Sequence, residues 1–281
     1  MSSSNWKNPD RMNSGISVTK IRSFGAIYVA EARISAMLKW KSVIAIVAIG
    51  NPLFYLIAIG IGVGVLVNEN SGTSGTGGVE YITFIAPALL ASAAITAALD
   101  EAMFPVMEGF KWRKLFYAMN STPITGPQIA LGVFIAALAR VAFTVICYWA
   151  VLIAFGVMSV EQSWDVIPVT IFAAGAFAAI IIGITAKVKN DDYFMTVLNR
   201  LIIMPMFLFS GTFFPLDSMP IYLQPIGWIS PLWHSTELGR HFSYGYPLSA
   251  TMLTVHFAFL LALLIGGFAL ANKTFTIRLT K

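Results

Sequence analysis

Charge is what this chain has least of: only 11% of its 281 residues are Asp, Glu, Lys or Arg, while 57% are hydrophobic and the mean hydropathy is +0.77. A water-soluble fold of this size needs far more polar surface to cover its core, so a soluble domain is excluded and an integral membrane protein is expected. Cysteine is nearly missing. Cys147 stands alone, which excludes a disulfide within the chain and leaves packing as the ordinary role of that thiol. The dipeptide Gly-Lys never occurs, so the GxxxxGK[ST] phosphate loop is absent and nucleotide hydrolysis by that route falls to another subunit. Neither HExxH nor GxSxG is found, which removes the usual signatures of zinc proteases and serine hydrolases. Residues 1–42 lack the short apolar core and small-residue cleavage site of a secretory signal, and none is expected.

Apolar runs are abundant. About 20 apolar residues span a bilayer core, and on that measure the segments 43–67, 81–99, 129–156, 166–186, 193–214 and 248–271 qualify, all read as helices. Fifteen of the eighteen Lys and Arg fall in the N-terminal 42 residues, the second and fourth connections and the tail. The first and third connections have none and the fifth has only Arg240, so the positive-inside rule puts both termini in the cytoplasm. The net charge of +5 then reflects topology and anionic headgroups, not nucleic acid. Ahead of the first span, Ile21, Phe24, Tyr28, Ile34 and Leu38 recur among Lys20, Arg22, Arg33 and Lys39. That spacing predicts a basic amphipathic helix at the cytoplasmic headgroup level, either a surface anchor or an additional docking face for a cytoplasmic partner.

Within the spans, Asn51-Pro52 predicts a kink. Gly60, Gly62 and Gly64 follow without a preceding strand, so close helix packing is expected there and phosphate binding is not. The outer loop 68–78 reads as a flexible Gly/Ser/Thr linker. The second connection, 100–128, centres on EGFKWRKLFYAMNSTPITG. It predicts a short helix with Phe110, Leu115 and Tyr117 among cations, ended by the breaker run 120–126. Its apolar and cationic face reads as a plug into a partner; the alternative is a solvated loop whose cations only enforce topology. Asp100 and Glu101, adjacent and so about 100° apart on a helix, read as solvated charges ending the second span rather than as an acid/base pair. Arg140 lies about eleven residues into the third span, ~16 Å deep. An arginine at mid-membrane costs ~3 kcal/mol and faces a bundle interior or wet cavity, so it calls for a structural or subunit-interface partner, or for substrate contact. Arg200 can snorkel to the inner interface.

The stretch 207–240 breaks a membrane-length apolar run with Gly211, Pro215, Pro220, Pro225 and Pro231 without becoming polar. Phe213, Phe214, Leu216, Ile221, Leu223, Ile226, Trp228 and Ile229 are costly to leave in water. Non-helical backbone at membrane depth persists only where protein or a lined cavity shelters it, so this is expected to be a re-entrant element capping the outward end of a pathway. Glu237 and Arg240, three apart, can pair on one helix. His234, Glu237 and His241 share a face at spacings of three and four. They are candidates for a metal or acid/base site, or for polar anchors of a re-entrant helix alongside the interfacial Tyr222, Trp228 and Trp233.

SGTFFPLDSMP at 210–220, followed by Pro231, His234, Glu237 and Arg240, resembles the signature before the last span in the membrane subunits of type-2 ABC exporters. The kinds represented are the O-antigen, teichoic-acid, nodulation-factor and daunorubicin-resistance exporters. Glu108-Gly109, Leu115 and Thr122-Pro123-Ile124 are similar to that family's coupling-helix loop. The nodulation-factor and drug-resistance branch matches best in wording. The resemblance implies an all-α integral membrane fold of six transmembrane helices, with an N-terminal cytoplasmic amphipathic helix (1–42) and re-entrant helices (210–247) before the last span. The transmembrane domain is 43–271, with the coupling loop at 100–128 and a cytoplasmic tail at 272–281. It further implies two cytoplasmic ABC ATPase subunits holding ATP and magnesium, and a second copy or a paralogous permease. The resemblance also implies a chain with no catalytic residue, metal or cofactor of its own, residing in the bacterial plasma (inner) membrane. By the same resemblance Glu108, Phe110, Lys111, Arg113 and Leu115 couple to the ATPase, while Arg140, Gly211, Phe213, Phe214, Pro215, Trp228, Glu237 and Arg240 serve the pathway or its gate. The cargo expected is an amphiphile: a lipid-linked glycan, a glycolipid or a hydrophobic drug. The rivals are a secondary transporter of a small amphiphile and a membrane-embedded transferase. The first often keeps carboxylates or histidines in its spans as proton relays, and the second has only His234, Glu237 and His241 to draw on.

Overall fold

The computed structural model describes residues 18–71, 76, 78–189 and 193–280, and among these every regular element is a helix. Of the outer loop read as a flexible linker, 68–71 are helical, continuing Gly64–Ser71, and 72–75 and 77 lie outside the described residues. Helix α1 (Val18–Leu38) lies beside the bundle. Helices α2 (Lys41–Val67) and α3 (Tyr81–Trp112) follow, then a short α4 (Leu115–Asn120) and α5 (Gly126–Ala154). Next come α6 (Val166–Thr185), α7 (Phe194–Phe209), α8 (Gln224–Trp228), α9 (Pro231–Tyr244) and α10 (Ala250–Leu279). Among the described residues five helices are long and apolar enough to cross a membrane: α2, α3, α5, a Val160–Thr185 stretch that contains α6, and α10. The apolar α7 is shorter, roughly 24 Å at 1.5 Å per residue.

Small residues set the centre. Ala86, Ala88, Ala91, Ala94, Ala98 and Ala102 on α3 are fully buried, as are Ala173, Ala174, Ala176 and Ala178 on α6. Such side chains let backbones approach closely where no hydrophobic drive between helices exists. Gly267 of α10 takes this furthest, since a Cβ there would sit 2.5 Å from the Ile180 backbone nitrogen. Helices α2 and α10 lie at the rim and leave most of their apolar surface uncovered.

Four expectations change. The second span does not stop at 99: α3 runs on through a π turn at Glu108–Trp112, with Asp100 and Glu101 part-buried inside it rather than solvated at its end. The last helix continues to Leu279 rather than ending at 271. The fifth span is helical only over Phe194–Phe209 and breaks at Ser210. Close packing of the glycine run holds at Gly64, buried with the Tyr81 ring 3.9 Å from where a Cβ would sit, and not at Gly62, where a Cβ would meet nothing within 4 Å. Pro52 lies inside α2, which passes into π winding over Leu56–Val63.

Candidate functional site

The connection between α3 and α5 is an elbow. Lys114, at φ +53°, reverses the chain after the π turn, and α4 folds back on it. Gly109 permits this, because a Cβ there would lie 2.3 Å from the Phe116 ring. Phe110 is buried inside the elbow, edge-on to Phe116 (5.0 Å), Tyr117 (6.1 Å) and Phe275 of α10 (4.8 Å), with the Arg278 guanidinium 4.3 Å above its ring. The structure thus places Phe110 away from the surface expected to plug into a partner, because aromatic groups from the far end of the chain cover it. Leu115 and Lys111 are part-buried, and the outward face consists of Trp112, Arg113, Lys114 and Tyr117. Glu108 accepts from Arg33 of α1 at 2.8 Å and from Arg113 at 3.0 Å, tying three elements at one carboxylate. Arg278 also donates to Ala186 O and Val188 O, both at 2.8 Å, so the elbow, the end of α6 and the end of α10 form one cluster.

Helix α1 is seated on α5. Gly132 of α5 allows the contact, since a Cβ there would lie 2.5 Å from Val29 Cβ and 2.6 Å from Ala26 O. Thr125 and Gln128 form a capping box at the start of α5, and Gln128 also donates to Arg22 O at 2.6 Å. The apolar residues Phe24, Tyr28 and Leu38 point outward, where lipid can take them.

At the opposite end of α3 the centre is Arg240, only 1% exposed. From α9 it donates to Glu237 Oε1 (2.8 Å), Gly211 O (2.6 Å) and Phe84 O (3.3 Å), and its guanidinium lies 3.7 Å over the Phe84 ring. Gly211, at φ +70°, turns the chain so that its carbonyl faces Arg240, a backbone shape that side chains with a Cβ resist. Tyr81 donates to Phe213 O at 3.2 Å, and Ser210 donates to Ser230 Oγ at 2.6 Å, where Ser230 also caps α9. Three segments, α3, α9 and the turn at Gly211, therefore converge on a planar fork suited to several acceptors at once. Phe213 packs on Phe207 (5.3 Å), Pro215 is part-buried, and Phe214 and Trp228 are exposed.

The other two mid-bundle expectations resolve separately. Arg140 lies 3.4 Å from Glu101 Oε1, which gives the part-buried guanidinium a partner on α3 and the carboxylate a reason to be inside the helix. The set His234, Glu237, His241 is split: Glu237 goes to Arg240, His241 to Tyr246 O at 2.8 Å, and His234 to His256 of α10. His234 Nε2 faces the Trp228 carbonyl at 3.0 Å, which only accepts, so its Nδ1 receives the His256 Nδ1 proton at 2.7 Å. Among the described residues no three His, Cys, Asp or Glu side chains are placed to hold a metal ion. Sequence reasoning missed Phe84, His256, Phe275 and Arg278, all of which act across more than twenty residues of chain. The one available signal was the rarity of His256 and Arg278 within an otherwise apolar terminal helix.

Helices of membrane length closed around buried ion pairs define the class, a multi-pass membrane protein. The family model described as "ABC-2 type transporter" matches residues 27–244. The chain belongs to that family, whose members are membrane transport subunits partnered by an ABC ATPase. It is 30% identical over 238 residues to Nodulation protein J of Rhizobium leguminosarum bv. trifolii, a match covering 84% of this chain and 88% of that protein. It is 29% identical over 253 residues to Nodulation protein J of Neorhizobium galegae, covering 87% and 91% respectively.

Proposed function

We propose that this chain is the permease subunit of an ATP-driven exporter in the bacterial plasma membrane, moving an amphiphile outward. The observation that carries the reading is the elbow, whose outward face is cationic and aromatic while its inner face is locked to α1, α6 and α10. A push on that face reaches α1 through the Arg33–Glu108 pair and the ends of α6 and α10 through Phe275 and Arg278. In this reading two ATPase subunits bind ATP and magnesium, and a second copy or a paralogue completes the pathway. Helix α7 makes a sixth crossing. The segment 210–247, with Gly211, Phe213, Phe214, Pro215, Trp228, Glu237 and Arg240, caps the outer end. Residues 1–42 and 272–281 lie on the cytoplasmic side.

Two experiments test this. The double change Lys114→Glu with Tyr117→Asp alters the outward face and should lower ATPase recovered on co-purification by about tenfold or more, as loss of an interface anchor does. Undiminished recovery together with undiminished ATP-dependent export would refute coupling through the elbow. For orientation, Ser74→Cys should react with a membrane-impermeant maleimide in intact cells and Lys114→Cys only after permeabilisation. The reverse pattern would overturn the inside-positive assignment.

A further inference from the structure

His234 of α9 and His256 of α10 take no part in the elbow or in the Arg240 fork, yet both are almost fully buried, at 2% and 1% exposed. Their Nδ1 atoms stand 2.7 Å apart. His234 Nε2 donates to the Trp228 carbonyl at 3.0 Å, so the contact exists only while His234 Nδ1 is bare and His256 Nδ1 carries the proton between them. The setting is apolar: Phe259 stacks on His234 with ring centres 4.0 Å apart, and Trp233 lies edge-on to His256 at 4.8 Å.

This contact requires a neutral His234. A proton added to its Nδ1 sets two N–H groups against each other at a distance that only a donor and an acceptor tolerate. A proton added to His256 Nε2 keeps the bond but leaves a buried cation without an anion, which is costly. Among the described residues no neighbouring group supplies that anion. On α9, Glu237 is engaged by Arg240, and His241 faces Tyr246 O. Helix α10 carries no Asp, Glu, Lys or Arg before Lys273, ~25 Å beyond His256. Of the other elements packed on α9, α6 and α8 carry none, and the charges of α3 begin at Asp100, ~24 Å past Phe84. Glu80, Glu161, Asp165 and Asp217 are exposed in the surrounding turns, and the phenols of Tyr81, Tyr244 and Tyr246 are neutral at and below neutral pH. Burial and the facing His256 accordingly hold His234 below the usual histidine range.

Parted from each other, the histidines return to a pKa of about 6.5. The joined state therefore binds fewer protons than the parted one. It keeps its full strength above about pH 6.5 and loses it as the pH falls below that value. What it joins gives the contact its reach: α9 carries Arg240, and the far end of α10 carries Phe275 and Arg278 into the elbow.

We propose that His234 and His256 form an acid-sensitive latch, which ties the Arg240 cap to α10 at neutral pH and parts when the pair takes up a further proton. The proposal goes beyond the export reading and needs it only to say that the proton comes from the outer side. The test uses the full chain in phosphatidylcholine nanodiscs, with nitroxides on Ile229→Cys and Val255→Cys in a Cys147→Ala background. Ile229 follows Trp228, Val255 precedes His256, and both are exposed. Between pH 7.5 and pH 5.5 the ratio of long to short nitroxide distances, read by electron paramagnetic resonance, should rise about tenfold, the factor that one released histidine supplies. His256→Asn keeps a donor toward His234 Nδ1 and can turn its amide oxygen to that nitrogen once protonated, so its ratio should change by less than about twofold. Histidine-selective 15N resonance, with three histidines in the chain, should show two imidazoles charging in step with the distance change. A parent ratio that moves by less than about twofold, an equal acid response in His256→Asn, or imidazoles that charge while the distance holds would each overturn the proposal. No nucleotide is present, so such a failure leaves the export reading untouched.

Discussion

Replacing Arg240 by alanine is expected to be the most damaging single change in this protein, lowering stability by about 3–5 kcal/mol. The guanidinium is buried and holds Glu237, the Gly211 carbonyl and the Phe84 carbonyl together. Alanine leaves the Glu237 carboxylate buried without its countercharge and two carbonyls without a donor. On the scale for chains of this length the melting temperature should fall by roughly 6–15 °C. Lysine is a poor substitute, since its ammonium lacks the planar fork that reaches three acceptors. Arg240→Leu combined with Glu237→Leu should recover more than half of the loss, because no lone buried charge remains. Thermal unfolding in detergent micelles checks all three variants. An Arg240→Ala protein that melts within about 2 °C of the parent would contradict this account.

The second large effect is expected from Gly132→Leu. The missing Cβ is what lets α1 rest on α5: an added one would press on Val29 Cβ and on the Ala26 carbonyl, and a backbone atom cannot swing away. Over-packing of this kind costs about 1–3 kcal/mol, and here the cheapest relief is for α1 to lift off. Arg33 would then leave Glu108, so trypsin should cleave after Arg33 faster than in the parent. Gly62→Leu is the matched control, since nothing lies within 4 Å of a Cβ there. Equal protease sensitivity of the two variants would remove the packing explanation.

The helical periods, the broken segment after Ser210 and the charged connection between the second and third spans were all legible in the residues. Local spacing was enough for them: the Glu237–Arg240 pair, three apart, forms as such spacing allows, at 2.8 Å. What sequence could not show is which partner arrives from far away. Asp100 and Glu101 look like the end of a span because charges usually mark one, yet Arg140 of another helix lets α3 carry them onward. Phe110 looks like an exposed anchor among cations, yet Phe275 and Arg278 cover it from a helix that begins 140 residues later. His234 looks like a member of an i, i+3, i+7 set, yet its neighbour in space is His256. In each case a tertiary contact overrode a local pattern, and each overridden residue is polar or aromatic, the kind whose placement is decided by a specific partner rather than by hydrophobic period.

The unbroken course of α3 has a mechanical consequence. Its 32 residues make a rod about 48 Å long with the Arg240 acceptor at Phe84 near one end and Glu108 near the other. Pro87 and Pro105 sit just inside those two ends, each removing one helical hydrogen bond, so bending concentrates at the extremities and roughly 26 Å of helix between them stays stiff. A tilt of about 5° carried by that stiff middle would move its far end sideways by about 2 Å. That is more than any of the three Arg240 hydrogen bonds can stretch. The fork would have to let go of Phe84 or drag the Gly211 turn along, so a small rotation at one face becomes a discrete switch at the other.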